Sequence, residues 1–547
     1  MFKPLRILFF SLFICTLMVP AIAGENSFPQ SDFIVNISSN VPDLRAHCAY
    51  NADEAQILTA LFEGLFVYDP YSMDPVPAIA ESWTVSAEGT EWVFNLRDNA
   101  FFSNGDPITA QAVRDSWMNL LDPHNEAPYA SLFDFIEGAH DYRTGNKKGK
   151  GSVKILAESK RSLKIKLSTP AEHLPKILCH HAFSIVHASD FVYSKKPANK
   201  ESYIPVSSGA FFIENISNEK ILLKKNEKYW DATNVALPSI TILISSDIES
   251  ITAMFNRGEI HWVAGSVLVD RILDPSSIKV TPMFSTEYFF FRGTWGPWAK
   301  SEIRNALLLS IPWKELRANY LIPAKTLVFP IAGYPELPGL TTHDTEAAKK
   351  LLVDAGITNF STLPPLEIRI PDSPPFFYLA DILEKAWNGL GFNVVVNPIP
   401  YVEYYGSLRK NNYALGIISW IGDFADPLSF LEMFRPASSL NDSGWNNDAY
   451  EKLIIDASAQ RISSDRYKKL AEAESLLLSE GMIIPVAHNP SLNCIDTNGI
   501  QGWYANALDI HPFKFIKFIQ QRPLPGVAQE SLPDSITTHT EIVQGVR

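Results

Sequence analysis

The stretch SWIGDFADPLSF, residues 419–430, sets one acidic side chain, Asp423, between Trp420 and Phe424, directly after the apolar run Leu415 to Ile418. The segment YALGIISW has the length and apolar density of a buried strand, and the chain turns polar only beyond it. Asp426 has a local reason to be acidic, because an Asp before Pro427 and the apolar LSFLEMF reads as a helix cap with proline at the first helical position. Asp423 has no such reason, and is the residue to be explained.

Around this strand, from about residue 285, helical and apolar-strand patterns alternate. SEIRNALLLS, TEAAKKLLVDAG, FFYLADILEKAWNGLG and YKKLAEAESLLLSEG read as helices, stopped by Gly356, by Gly389 or Gly391, and by Gly481. PLEIRI, FNVVVNPI and GMIIPVAH read as strands between them, which predicts an α/β sheet covered on both faces. Nearer the start, Asp53 with Gln56 suggests a capping pair for a helix that buries Leu58, Leu61, Phe62 and Leu65. EWVFNL alternates as a strand, an Asn104-Gly105 turn follows, and Thr109 opens a helix burying Val113, Trp117 and Leu120. SLKIKLST places Leu163, Ile165 and Leu167 on one face of a sheet, with Lys164 and Lys166 on the other.

The chain has 547 residues, of which 46% are hydrophobic and 20% charged, enough for more than one domain. A formal net charge of -13 argues against a nucleic-acid partner, which would need clustered Lys and Arg. Lys3 and Arg6 precede the apolar stretch Ile7 to Val19, and Ala21-Ile22-Ala23 has the small-x-small pattern of a signal-peptidase site. Residues 1–23 therefore read as a signal peptide cleaved after Ala23, and no later segment approaches the roughly 18 apolar residues of a membrane span. Cys15 follows Ile14 and is a poor lipid-attachment site, so an unlipidated Gly24 is expected. Cys48, Cys179 and Cys494 remain, an odd number without a short pairing motif. Residues 526–547 read as a loose tail.

No G-x-S-x-G elbow, P-loop, H-E-x-x-H helix or EF-hand loop occurs. Ser407 to Lys410, SLRK, fits S-x-x-K, but no suitably placed S-x-N or K-T-G partner follows, so no catalytic residue is assigned. HLPKILCHHAFSIVH could supply metal ligands, yet His180 and His181 would point to opposite faces if they lay on a strand. Their spacing is not that of a closed zinc site. Packing or surface roles are expected, with no metal and no cofactor.

Seven stretches taken together resemble the large extracellular solute-binding proteins of peptide, opine and nickel ABC importers, on their oligopeptide-binding side. They are ALFEGLFVYDP with PVPAIAESW, WVFNLRDNAFFSNGDPITAQAV, LLDPHNEAPYASL, KKNEKYWD, EIRNALLLSIPW, AAKKLLVDAG and SWIGDFADPLSFLEMF, in family order over about residues 43 to 518. The resemblance implies a two-lobed periplasmic binding protein fold of the large peptide-binding class, with a subdomain inserted in the first lobe. Lobe I would take 24–60, 186–284 and 501–525, the inserted subdomain 61–185, and lobe II 285–500. It further implies capture of short peptides between lobes by hinge closure, and delivery to the membrane permease of an ABC importer by a monomeric periplasmic protein. The peptide would be held as an added strand.

Residue by residue, Asp423 falls where these relatives pair an aspartate with the peptide ammonium. The backbone of Trp420, Ile421 and Gly422 would run beside the ligand, and that of Cys48, Ala49 and Tyr50 would face it. Tyr401 and Trp420 would line side-chain pockets, and Tyr129 would lie near the same cleft. Ile417 stands where some relatives keep a cation for the peptide carboxylate, and Arg409 falls within about one residue of another such position, which makes it the candidate for that role. A cysteine pair of some relatives is replaced by Ile421 and Ser285. Asp423 is taken to face a solvated cleft, where it would support no core. The alternatives are a diaminopimelate-containing cell-wall peptide, a nickel or haem complex, or, from another class, an exported cell-wall hydrolase.

Overall fold

The strand Leu415–Ile421 lies inside a five-stranded sheet, in the order Val394–Ile399, Leu366–Pro371, Leu415–Ile421, Ser285–Phe291, Ile483–Ala487. The computed structural model describes residues 32–38, 40–146, 149–194, 203–265, 267–409 and 413–519. The expected signal peptide, its cleavage site and the C-terminal tail lie outside the described residues. No helix among the described residues is long and apolar enough to cross a membrane.

In this sheet the first three strands run parallel, and helices Ser301–Leu309, Thr345–Asp354, Pro374–Leu390 and Ser463–Ser479 supply the cover that two-sided burial requires. Gly391, not Gly389, takes the left-handed conformation that ends Pro374–Leu390, with φ 107°.

A seven-stranded sheet forms the other lobe, ordered Ile278–Pro282, Pro490–Ile495, Trp262–Ala264, Phe33–Ser38, Ser239–Ile244, Lys220–Lys225, Phe211–Ile216. The sequence grouped Pro490–Ile495 with lobe II. The strand instead pairs antiparallel with Trp262–Ala264 and with Ile278–Pro282, so both its edges are satisfied in the seven-stranded sheet. The chain has left the five-stranded sheet by Ala487, and apolar content alone carries no mark of that crossing.

Within 61–185 a four-stranded antiparallel sheet, Ala80–Val85, Glu91–Leu96, Ser162–Lys166 and Ile155–Ala157, carries the helix Ala110–Leu120. Thr109 caps that helix by accepting from Ala112 N–H, and Val113, Trp117 and Leu120 are buried as the spacing predicts. The first helix, Ala52–Leu61, is capped differently from expectation. Asn51 and Glu54 form the capping box, rather than Asp53 and Gln56, and the helix ends before Leu65.

Two buried ionic groups tie the second lobe together. Asp426 caps Leu428 N–H at 3.0 Å, but its carboxylate also makes a two-pronged pair with Arg466 at 2.6 and 2.9 Å. Burial pushes the Asp426 carboxyl up, and Arg466 outweighs it, holding the group below its usual range. Glu474, fully buried, accepts from Leu327 N–H, Val328 N–H and the Tyr334 hydroxyl at 2.7 to 2.8 Å, pinning the 327–334 loop. Here burial wins over those hydrogen bonds, and the carboxyl is raised to about 7.

A carboxyl raised on folding favours the native state below its unfolded value and loses that advantage as pH climbs through the folded value. Glu474→Gln mimics the protonated group and keeps an acceptor for the two N–H donors. Its stability relative to wild type should therefore rise by about 3 kcal/mol between about pH 4.5 and pH 8. Denaturant unfolding of both proteins across that range checks this; a constant difference would contradict it.

Candidate functional site

From Ile418 onward, one edge of the strand Leu415–Ile421 is open. The partner Ser285–Phe291 pairs along the whole opposite edge, from Phe291 with Leu415 to Ser285 with Ile421. On the other side Leu366–Pro371 meets only Leu415 and Gly416, and the Tyr404 hydroxyl occupies both Ile417 N–H and its carbonyl. Beyond that point no described strand continues the ladder. An unpaired strand edge is a template for an added strand.

This edge borders a cavity of about 730 Å³, within the size range of ligand sites. Residues 418–423 form one wall; Asn40 to Pro42, Tyr50 to Ala55 and Thr59 form the facing one. Gly422 lets the chain turn here: its N–H donates to Phe284 carbonyl at 2.7 Å, and a Cβ would collide with the Phe284 ring and with Ser429 Oγ, 2.7 Å away.

At the end of the edge sits Asp423, whose side chain is only 8% exposed rather than solvated. The 61–185 segment covers it. Tyr68 hydroxyl donates to Asp423 carbonyl at 2.8 Å, and Lys176 Nζ donates to Ala425 carbonyl at 3.0 Å. His180 Nε2 stands 3.5 Å from Asp423 Oδ1, with the Tyr129 ring at 4.5 Å from the imidazole. Burial, with His181 beside it, drives His180 well below its usual value, so the imidazole is neutral and supplies no charge. Burial likewise drives Asp423 well above the carboxylate range, opposed only by the Tyr129 hydroxyl and its own N–H.

The expected residues divide. Asp423, Trp420, Ile421, Gly422, Tyr50, Tyr401 and Tyr129 all border the cavity. Trp420 is fixed by its indole N–H on Ser429 carbonyl, and Tyr401 and Tyr50 each meet Tyr405 edge-on. Cys48 and Ala49 do not border it: Ala49 carbonyl accepts from His181 Nε2 at 3.1 Å, and of the three residues 48–50 the cavity is lined by Tyr50. Arg409 is not a wall residue either, since its Nε donates to Asp442 Oδ1 at 2.6 Å and Asp442 takes the place beside the cavity. His180, Tyr68, Tyr405 and Asp442 are additions. His180 and His181 do not lie on a strand; His180 caps a short 3-10 turn, which brings both rings to one side, 4.1 Å apart. Among the described residues Cys48, Cys179 and Cys494 form no disulfide. Among the described residues no group of three or more His, Cys, Asp or Glu is arranged to hold a metal ion.

Residues 74–442, more than half of the chain, match the model of the bacterial extracellular solute-binding proteins, family 5. The chain belongs to this family of solute-binding proteins. Within it, the dipeptide-binding protein DppE of Bacillus subtilis is 29% identical over 76% of this chain and 78% of its own. A crystal structure of a periplasmic oligopeptide-binding protein of Borrelia burgdorferi, 26% identical, superposes with a TM-score of 0.78 over 89% of this chain and 99% of that one. The Escherichia coli murein tripeptide-binding protein MppA, 25% identical, reaches 0.78 over 89% and 98% of the two chains. Its unliganded open form, over 89% and 97%, reaches only 0.62.

The raised Asp423 carboxyl makes a testable cost. A group raised on folding stabilises below its unfolded value and loses this as pH rises through the folded value. Asp423→Asn should therefore make the unliganded protein more stable than wild type at neutral pH, on the order of 1–3 kcal/mol, the usual cost of an ill-matched buried polar group. Near pH 4 the two should unfold together. Thermal unfolding at both pH values would show it; a less stable variant at neutral pH would contradict it.

Proposed function

We propose that the protein captures short peptides between its two lobes and delivers them to the permease of an ABC importer. The observation that carries this reading is the open strand edge at 418–421 that ends on a buried carboxyl with no cation among the described residues. A peptide laid along the edge completes the ladder through its backbone, which gives affinity with little demand on sequence. Its α-ammonium meets Asp423. The peptide-binding relatives support the same ligand class. Among the described residues the walls include Asp53, Glu54, Asp423 and Asp442 and no Lys or Arg, which suits an amine better than a carboxylate. With Arg409 held by Asp442, the described residues offer the peptide's far end no cationic anchor, and longer ligands can extend outward.

The protein acts without catalysis, as a monomer in the periplasm, with Gly24 as the first residue after export. A diaminopimelate-bearing cell-wall peptide offers the same ammonium, and the likeness to MppA supports it as the second reading.

Asp423→Asn should weaken binding of a free tetrapeptide by roughly thirty-fold to a few thousand-fold, or about 2–5 kcal/mol, as for loss of one partner in a buried charge pair. Acetylating the peptide amine should cost wild type a similar amount, and the two losses should not add. Titration calorimetry of the four combinations decides this. Equal affinity of both proteins for the free peptide would overturn the reading.

A further inference from the structure

In the chain, segment 61–185 lies between two strands of the seven-stranded sheet, Phe33–Ser38 and Phe211–Ile216, yet several of its polar groups bond to the half built on the five-stranded sheet. Tyr68 and Lys176 do so beside the cleft, on Asp423 and Ala425 carbonyls. Farther out, Arg143 Nη2 donates to Ala437 carbonyl at 2.8 Å, and Ser131 Oγ stands 3.4 Å from Ser438 Oγ. In the reverse direction Arg461 Nη1 donates to Ala87 carbonyl at 2.8 Å. Neither Arg143, Ser131 nor Arg461 borders the cleft.

Two features set this junction apart from a packed core. It leaves a cavity of about 320 Å³ between residues 131–177 and 428–458, whereas close packing leaves few voids larger than a water molecule. Among the described residues the chain passes between the two large sheets at 283–284 and at 488–489, from Ile278–Pro282 to Ser285–Phe291 and from Ile483–Ala487 to Pro490–Ile495. These short passages lie side by side, with Ser285 Oγ donating to Asn489 carbonyl at 2.9 Å. The two halves can turn about that point, and the junction bonds break as they do.

Arg143 is the best oriented of the junction donors. Asp134, its side chain 7% exposed, accepts from Arg143 Nε at 2.9 Å and Nη2 at 2.5 Å, which leaves the other Nη2 hydrogen on Ala437 carbonyl. His140 Nδ1 meets Asp134 Oδ2 at 2.8 Å, and that contact raises the imidazole above its usual value, so the carboxylate has two cationic partners. All three side chains belong to segment 61–185. The guanidinium therefore keeps its aim when the halves part, and loses only Ala437 carbonyl and Ser439 Oγ, the latter 3.4 Å from Nη1.

We propose that Arg143 is a positioning residue for ligand retention: held by Asp134, it latches segment 61–185 onto residues 437–439 when the cleft closes, and so sets how long a bound molecule stays. The inference rests on the proposed capture of peptides between the two lobes. A bond made in only one of two arrangements raises the population of that arrangement, and for an enclosed ligand the gain appears as slower release. The latch touches no ligand atom, so its contribution is the same for every peptide, unlike that of Asp423.

Stopped-flow binding of a fluorescent tetrapeptide to the mature protein tests this. Arg143→Met should speed release about tenfold, change association by less than about twofold, and act by the same factor on the free and the N-acetylated peptide. Because that variant also takes a partner from Asp134, a second protein keeps Arg143 and carries Ser131→Cys with Ser438→Cys, whose thiols replace hydroxyls 3.4 Å apart and are joined by oxidation. Closing that disulfide should slow both entry and release by about tenfold or more, and reduction should restore them. Unchanged release from Arg143→Met, an effect confined to one of the two peptides, or equal kinetics of the oxidised and reduced cysteine pair would each overturn the proposal. If wild type binds neither peptide, the peptide reading fails, and the latch is read without ligand: X-ray scattering should give Arg143→Met a larger radius of gyration than the oxidised pair, and equal values would overturn it.

Discussion

Folding takes the Asp423 carboxyl out of water and, among the described residues, gives it no cation. Tyr129 and its own N–H favour the ionised form, His180 stands close but neutral, and burial outweighs them. In a low-dielectric site that deficit is expensive until an opposite charge arrives. The contrast with Asp426, three residues on, is instructive. Asp426 is as deeply buried but has Arg466 in a two-pronged pair, and its carboxyl is held down rather than pushed up. One turn of chain thus carries a carboxylate matched within the fold and another that, among the described residues, has no cation.

The rest of the site follows from how that deficit is framed. Leu366–Pro371 diverges after Gly416, so the strand that ends at Asp423 keeps an open edge over its last residues. Gly422 allows the chain to turn under Phe284, and the 61–185 segment seals the turn through Tyr68 and Lys176. A ligand that offers both a peptide backbone and an ammonium satisfies edge and carboxylate together, which neither a bare amine nor a capped peptide can do.

Much of this was legible in the sequence. The alternation of helices and strands after residue 285 and the position of Asp423 after a buried strand are local patterns, set by side-chain periodicity within a dozen residues. What was not legible depends on contacts across hundreds of positions. His180 meets Asp423 only because a 3-10 turn rotates its ring toward the cleft, and nothing in CHHAF distinguishes that turn from a strand. Arg409 looks free in the sequence and is held by Asp442 through a contact 33 residues away. Pro490–Ile495 carries an ordinary strand pattern, and only its partners reveal which sheet it joins. Asp423 borders the cavity, but its burial was not legible, because the covering residues come from a segment some 250 to 350 positions upstream.

The central claim is that the unliganded Asp423 carboxyl holds its proton above the normal carboxylate range and gives it up when an ammonium binds. Calorimetric titration of a short peptide at about pH 5, in buffers of different ionisation heat, reads that proton directly. The account predicts net proton release on binding, up to one per peptide, that fades as pH rises and is absent in Asp423→Asn. Proton uptake, or no exchange at any pH in wild type, would contradict it.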